Sequence, residues 1–464
     1  MISIFKKKYL PLLLVYFAYG FSALTSVTFT FLKKNHFTLT ALEWGIVGIW
    51  ASLPWSIKIV YGSIIDRFTI FKSNRKAYIY LGSILMILGN LTIIDSLSTH
   101  FFSNQLLLMS VGGFLFASGC VFADLIADTL SVEVVDPNNF EKELTDVSIL
   151  SRYALIIGSV GAALLTGWLA QTYSAITVYM IWMVVPILSM SGCFFIKVRE
   201  NVERLNKDNI GLASSIIFAS LVVLFIAFFG IDKSQIWIFS LTLSYVIYLM
   251  YSMRDSISTE HRKFFYLACI AVFLFRVSPS AGDGVDWWLM NKFGLNEAFF
   301  GKLRIVSTVS TLIILSLTAR FLNGASIIKA LIIFTIMDLI LSLPIIFIYY
   351  GYTFGFEPSH ILLVDTAMAA PLANLAMIPL NVLLGIYTPD NKRATYMAIT
   401  ASFVNLALMS GDLISKELNR IFIVTQTDHS QLGKLLISCQ SISVILSIMG
   451  ILIFFYTKRP RTKN

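Results

Sequence analysis

Lys58, Asp124 and Asp128 are residues whose types and placement could do chemistry, because all three interrupt long apolar runs. A charged side chain at the centre of a membrane helix costs about 2.5–3.5 kcal/mol or more unless it faces protein, water or a partner. Asp124 and Asp128 are four residues apart and so share one face of a helix, Glu133 follows on the same run, and Arg152 opens the next. Lys58 lies about sixteen residues into its own run. Opposite charges at similar depth suggest pairing, Lys58 with Asp124 and Arg152 with Asp128 or Glu133. The set could be permanent ion pairs, or one carboxylate could bind a proton whenever its basic partner moves or a ligand arrives.

A second constellation reads Phe275-Arg276-Val277-Ser278-Pro279-Ser280-Ala281-Gly282-Asp283-Gly284. Arg276 falls about twelve residues into an apolar stretch, and the proline, glycines and serines beside it would break the helix there. Irregular backbone at that depth is tolerated where it is packed in protein or lines a cavity, and broken helices at the midplane build transporter sites. The simpler reading is a proline kink with Arg276 locked to Asp338 or Asp283. Lys302 and Arg304 open the following run, Asp338 sits near the middle of a later one, and Asn374 and Asn405 add uncharged polar groups at depth. Asp365, Asp412, Lys416 and Glu417 lie near the outer ends of their runs, where snorkelling or surface pairing would account for them. Trp44, Trp287, Trp288, Tyr349 and Tyr350 fit an interfacial aromatic belt.

The elements that must position these residues are membrane helices. Of 464 residues, 57% are hydrophobic and 13% charged, and the mean hydropathy is +0.79, which excludes an ordinary soluble domain. The formal charge of +9 is gathered in short clusters between apolar runs, so it reports topology rather than nucleic-acid binding. Spans of about twenty residues are expected near 10–32, 42–65, 77–95, 105–131, 148–170, 175–196, 211–230, 236–253, 264–290, 299–321, 327–350, 361–386, 395–418 and 435–456, which makes about fourteen. With the N-terminus inside, the inner loops hold Lys6 to Lys8, Arg67, Arg75, Lys76, Arg262, Lys263, Lys392, Arg393 and the basic tail, whereas the outer loops hold only Lys33, Lys34, Lys233, Lys292, Arg420 and Lys434. Both termini are therefore expected in the cytoplasm. The first run is long enough to span, so it reads as an anchor rather than a cleaved signal peptide.

The polar stretches 136–147 and 197–210 read as solvated connectors or short surface helices. The second divides the chain into an N-terminal six-helix bundle over 1–200, a linker with an inserted two-helix hairpin at 201–263, and a C-terminal six-helix bundle over 264–464. The hairpin is expected at the periphery. Cys120, Cys193, Cys269 and Cys439 are scattered singly, which suggests no disulfide framework and no zinc site. A membrane enzyme would need a catalytic set, but there is no HExxH and no GxSxG, and the five histidines fall in stretches read as loops. A channel would need no coupled carboxylates. No cofactor or metal is expected.

The turn Tyr61-Gly62-Ser63-Ile64-Ile65-Asp66-Arg67, followed by Arg75-Lys76, resembles the GxxxDR loop signature of the major facilitator superfamily. Longer matches resemble its folate-biopterin transporter family. These are Lys58 with Tyr61-Gly62 and Asp66, the run Ala123-Asp124 to Asp128 and Glu133, Ser278-Pro279-Ser280 with Gly282-Asp283, Gly301-Lys302-Leu303-Arg304, and Pro379, Pro389 and Ala394-Thr395-Tyr396 with Asn405. The sequence departs from that pattern at Ile59, Lys72 and Arg393.

The resemblance implies an all-α polytopic fold of two six-helix bundles and a secondary active transporter in the bacterial inner membrane, monomeric, moving folate or a pterin by alternating access, with a proton as coupling ion. The charges within and beside the apolar runs, Lys58, Asp124, Asp128, Arg152, Arg276, Asp283, Arg304 and Asp338, are the candidate substrate and proton pathway. The resemblance also implies a cytoplasmic gate at Gly62, Asp66, Arg67 and Arg75, with Asp66 capping the helix that starts near Ala394. The related muropeptide and acyl-CoA permeases share several of these elements and form the alternative.

Overall fold

The structure is a computed structural model and describes residues 7–67, 70, 75–98, 104–133, 140–195, 209–252, 259–322, 327–386 and 393–457. In order, the helices are α1 (Leu10–Phe21), α2 (Ser26–Asn35), α3 (Ala41–Ser56), α4 (Lys58–Arg67), α5 (Lys76–Ser98), α6 (Gln105–Glu133), α7 (Phe140–Thr172), α8 (Ala175–Trp182) and α9 (Val184–Phe195). Then follow α10 (Asn209–Ser252), α11 (Thr259–Arg276), α12 (Asp283–Phe293), α13 (Glu297–Leu322), α14 (Ile327–Tyr349), α15 (Pro358–Ile386), α16 (Arg393–Ile421) and α17 (Leu432–Thr457). Each apolar stretch expected to span falls on a helix or on a helix broken by a short turn. Eight helical stretches among the described residues are long and apolar enough to cross a membrane by length and composition. The protein is an all-α polytopic membrane protein.

Local chemistry sets the boundaries. Thr40 and Glu43 form a reciprocal cap at the start of α3. The Thr40 N–H and hydroxyl donate to Glu43 Oε2 at 2.7 and 2.9 Å, and the Glu43 N–H donates to Thr40 Oγ1 at 3.3 Å, which satisfies donors that a helix start leaves open. Pro54 lies inside α3, and the helix stops two residues later, so that α4 restarts at Lys58. Gly230 adopts φ 73°, ψ 175° inside α10. That backbone is accessible only to glycine at no steric cost, and it bends the long helix between the two spans expected there.

The chain divides into two compact units, one of residues Met1–Thr38, Trp50–Ser234 and Asn296–Ile305, the other of Leu39–Ile49, Gln235–Leu295 and Val306–Asn464. In the first, α5 packs along α6 and α1 along α7; in the second, α11 packs on α17 and α14 on α15. Small residues allow close approach. A Cβ on Gly167 would lie 2.6 Å from the Gly301 Cα, so in the first unit α7 and the 296–305 segment meet backbone to backbone.

Several expectations change. The stretch 136–147, read as a connector or short surface helix, contains the start of the long helix α7 at Phe140. Glu143 is only 5% exposed and accepts from Lys8 Nζ at 2.7 Å and from Tyr9 OH at 3.0 Å. The stretch 196–208 lies outside the described residues. His261 and His360 sit in the first turns of α11 and α15 rather than in loops. Trp44, Trp287 and Trp288 are buried, with Trp288 packed on Phe293 and Tyr349; protein packing rather than an interfacial belt holds them. Lys416, expected to snorkel or to pair at the surface, is 3% exposed and lies 3.6 Å from Glu417 Oε1.

Candidate functional site

The first unit gathers three of the intramembrane charges. Lys58 opens α4 just beyond the Pro54 break, and Asp124 and Asp128 project from one face of α6. Lys58 Nζ lies 2.6 Å from Asp124 Oδ2 and 3.4 Å from Asp128 Oδ2. The Lys58 and Asp124 side chains are 19% and 14% exposed, whereas Asp128 is 57% exposed. Tyr16, on α1, donates its hydroxyl to Asp128 Oδ1 at 2.8 Å. One ammonium thus bridges two carboxylates, and a phenol holds the outer one. Tyr61 donates to or accepts from Ser118 at 2.8 Å and packs edge-on to Phe122 at 4.9 Å, which fixes α4 against α6 beside the charges.

Arg152 does not join this cluster through the expected pair with Asp128, which is held by Lys58 and Tyr16 instead. Arg152 is exposed on α7, and the Glu133 side chain, its other expected partner, lies outside the described residues.

The second unit holds a cavity of about 220 Å³. Arg276 ends α11, and the chain runs non-helically from Val277 to Ala281 before α12, as the proline and glycines require. Gly411 on α16 lets this segment pass close, since a Cβ there would meet the Ser278 backbone at 3.0 Å. Ser278 and Ser443 share a hydrogen bond at 3.3 Å, and the Ser280 N–H donates to Ser415 Oγ at 2.8 Å. The break is therefore packed and hydrogen-bonded. The cavity is lined by Arg276 and Ser278, by Phe334, Thr335 and Asp338 of α14, and by Ser443 of α17, among others.

Arg276 is half-buried, its Nε is buried without a hydrogen-bond partner, and it forms no ion pair with Asp338 or Asp283 among the described residues. The kink-with-locked-arginine reading is thus set aside. Asp338 accepts from Gln440 Nε2 at 3.1 Å. Asp283 lies in the first turn of α12, where a carboxylate suits the helix dipole, and Arg304 is exposed on α13. Neither lines the cavity.

Gly62 lies in α4, and Arg75 precedes α5. The side chains of Asp66 and Arg67, of Asn374, and of Ala394 to Tyr396 lie outside the described residues. Asp365, expected to snorkel or pair near the outer interface, has a buried Oδ1 without a hydrogen-bond partner among the described residues. It sits on the face of α15 that four residues later presents Ala369 to the cavity. Tyr16 and Gln440 are functional neighbours that the sequence reading, which singled out charges and the asparagines Asn374 and Asn405, does not include. Each is a hydrogen-bonding side chain inside an apolar run, a signal the sequence does carry.

The fold matches solved transporters. A crystal structure of a POT family transporter in complex with a thioalcohol-conjugated peptide superposes with a TM-score of 0.72 at 13% identity, covering 97% of this chain and 96% of that one. The in meso crystal structure of the POT family transporter PepTSo gives 0.67 at 11% identity, with 98% of each chain covered. The likeness covers nearly the whole chain, and the shared all-α architecture is the major facilitator fold. Among curated proteins, Folate transporter 1 of Plasmodium falciparum (isolate 3D7) is 23% identical over 429 residues, 92% of this chain and 75% of that protein. The Folate-biopterin transporter of Synechocystis sp. (strain ATCC 27184 / PCC 6803 / Kazusa) is 23% identical over 442 residues, 95% and 80% respectively. The model of the BT1 family matches residues 19–460, nearly the whole chain, and the protein is therefore a membrane transporter belonging to the BT1 family of folate-biopterin transporters.

Proposed function

We propose that the protein is a secondary active transporter that moves folate or a related pterin by alternating access, with proton coupling. The observation that carries the substrate class is Arg276, a half-buried guanidinium on a cavity wall with no carboxylate partner among the described residues. An unpaired cation inside a membrane protein is costly, and a small anionic or acceptor-rich organic solute would satisfy it. The names of the relatives support the folate and pterin assignment.

Proton coupling is supported by the Lys58 cluster. One ammonium faces two carboxylates, which leaves a negative charge that a proton can neutralise during the cycle. The differing affinity of the two transport states for substrate and proton would then drive the conformational change. Gly62, Asp66, Arg67 and Arg75 would form the cytoplasmic gate in a bacterial inner membrane, with some fourteen crossings arranged as bundles 1–200 and 264–464 around an inserted hairpin at 201–263, and both termini inside. The protein would act as a monomer.

Counterflow of labelled folate into proteoliposomes preloaded with unlabelled folate or pterin tests the reading. Saturable exchange is expected. No exchange with folates or pterins would overturn it, and exchange of muropeptides or acyl-CoA instead would favour the alternative.

A further inference from the structure

Resting on that substrate class, we propose that the cavity beside Arg276 binds the pterin ring rather than the glutamyl tail, and that Asp338 is the residue that reads the ring's 2-amino-4-oxo edge. The cavity has two unlike poles. Arg276 and Asp338 line the same space, yet no ion pair joins them, so each keeps its hydrogen-bonding capacity for a ligand. Asp338 is on the inner face of α14, one turn beyond Phe334 and Thr335, which line the cavity as well.

Gln440 donates to Asp338 Oδ2 at 3.1 Å, which orients the carboxylate and leaves Oδ1 and a second lone pair of Oδ2 to accept. A carboxylate offers two parallel acceptors. The 2-amino and N3–H groups of a pterin are two parallel donors at the matching separation, and its C4 oxygen and N5 are acceptors for a guanidinium. Phe275 and Phe334 belong to one apolar cluster and line the cavity, giving a wall on which a flat heteroaromatic ring can lie.

Size points the same way. About 220 Å³ falls below the roughly 300–1,000 Å³ of pockets that enclose drug-sized ligands. The space suits a bicyclic ring and leaves the aminobenzoyl-glutamate portion of a folate outside it. A site built around paired hydrogen bonds rejects analogues that lack them more strongly than an apolar pocket rejects a size change.

The test uses the full chain in proteoliposomes and measures competition against labelled folate counterflow by pterin, by lumazine, in which the 2-amino group is replaced by a carbonyl, and by p-aminobenzoylglutamate. In the wild type, pterin should compete at a concentration at least tenfold lower than lumazine, and p-aminobenzoylglutamate should not compete. Asp338→Asn presents one donor and one acceptor, the complement of the lumazine edge, and should remove or reverse the preference. Arg276→Lys should weaken both ligands while keeping their ratio.

An unchanged pterin-to-lumazine ratio in Asp338→Asn would overturn the proposal. So would a wild type inhibited by p-aminobenzoylglutamate but not by pterin, a result that does not depend on the variant folding. If the wild type exchanges folate while either of these results holds, the ring assignment fails alone. If it exchanges neither folate nor pterin, the transport reading fails first.

Discussion

Lys416 Nζ donates to Gln235 Oε1 at 3.1 Å, and the two residues are 3% and 1% exposed. Gln235 Nε2 donates in turn to the Ile46 carbonyl at 2.9 Å, so one side chain from the second half of α10 ties α3 to α16 within the second unit. Ser234, Gln235, Ile238, Thr242 and Val246 form a buried stripe at helical spacing, while Ile236, Trp237, Ile247, Tyr248 and Tyr251 on the same stretch are exposed. The stretch expected to be peripheral therefore has one packed face that carries a polar tether.

Gln235→Leu should destabilise the protein by about 1.5–3 kcal/mol, the usual loss when a buried charged group is deprived of a hydrogen bond. Thermal unfolding in detergent should show a lower midpoint. Gln235→Glu, which offers Lys416 a carboxylate, should lose much less. Equal midpoints for wild type and Gln235→Leu would show that the tether contributes nothing.

Removing the Lys58 ammonium should leave Asp124 facing Asp128 without a cation. Lys58→Met is expected to cost about 3–5 kcal/mol, typical of breaking a buried ion pair from one side. The Lys58→Met, Asp124→Asn double variant should recover part of that loss, which a double-mutant cycle measures. Strict additivity would indicate that the 2.6 Å contact carries no coupling.

For transport itself, Asp124→Asn separates a structural pair from a proton site. Uptake driven by a pH gradient should fall at least tenfold, whereas folate counterflow, which needs no net proton movement, should persist. Undiminished gradient-driven uptake in a well-inserted variant would rule out Asp124 as the coupling residue.

Gly167→Ala should be destabilising by about 1–3 kcal/mol, because its new Cβ would meet Gly301 backbone rather than a flexible side chain tip, and an overpacked contact relaxes poorly. Gly48→Ala is the control, since nothing lies within 4 Å of its Cβ position. Similar melting behaviour for the two variants would argue against a tight approach at Gly167.

The loop before α17 gives a pH prediction. The Ser430 N–H donates to Asp428 Oδ1 at 2.9 Å, and this bond, which favours the charged form, holds the Asp428 carboxyl below its usual value. A depressed carboxyl contributes order that is fully present above the unfolded value of about 3.9 and is lost as pH falls through the lower folded one. Amide exchange at residues 425–432 should therefore be protected near pH 5 and less so near pH 3, relative to the intrinsic rate. In Asp428→Asn that pH dependence should vanish.

The sequence by itself determined the all-helical membrane fold, the break after Arg276, and the family resemblance, whereas the break after Pro54 inside the span expected over 42–65 emerged only in the structure. Hydropathy over twenty residues, proline and glycine chemistry and charge clusters are local properties, and they act before any tertiary contact forms. It also marked Lys58, Asp124, Arg276 and Asp338, because a charge in an apolar run stands out without a partner. The Lys58–Asp124 pair was legible from depth and charge and is present at 2.6 Å, but the other partners were decided only in three dimensions. Tyr16 reaches Asp128 across 112 residues, Gln440 reaches Asp338 across 102, and Gln235 reaches Lys416 across 181. The pattern along one helix says which face is polar, but the side chain that meets it belongs to another helix, and only packing selects it.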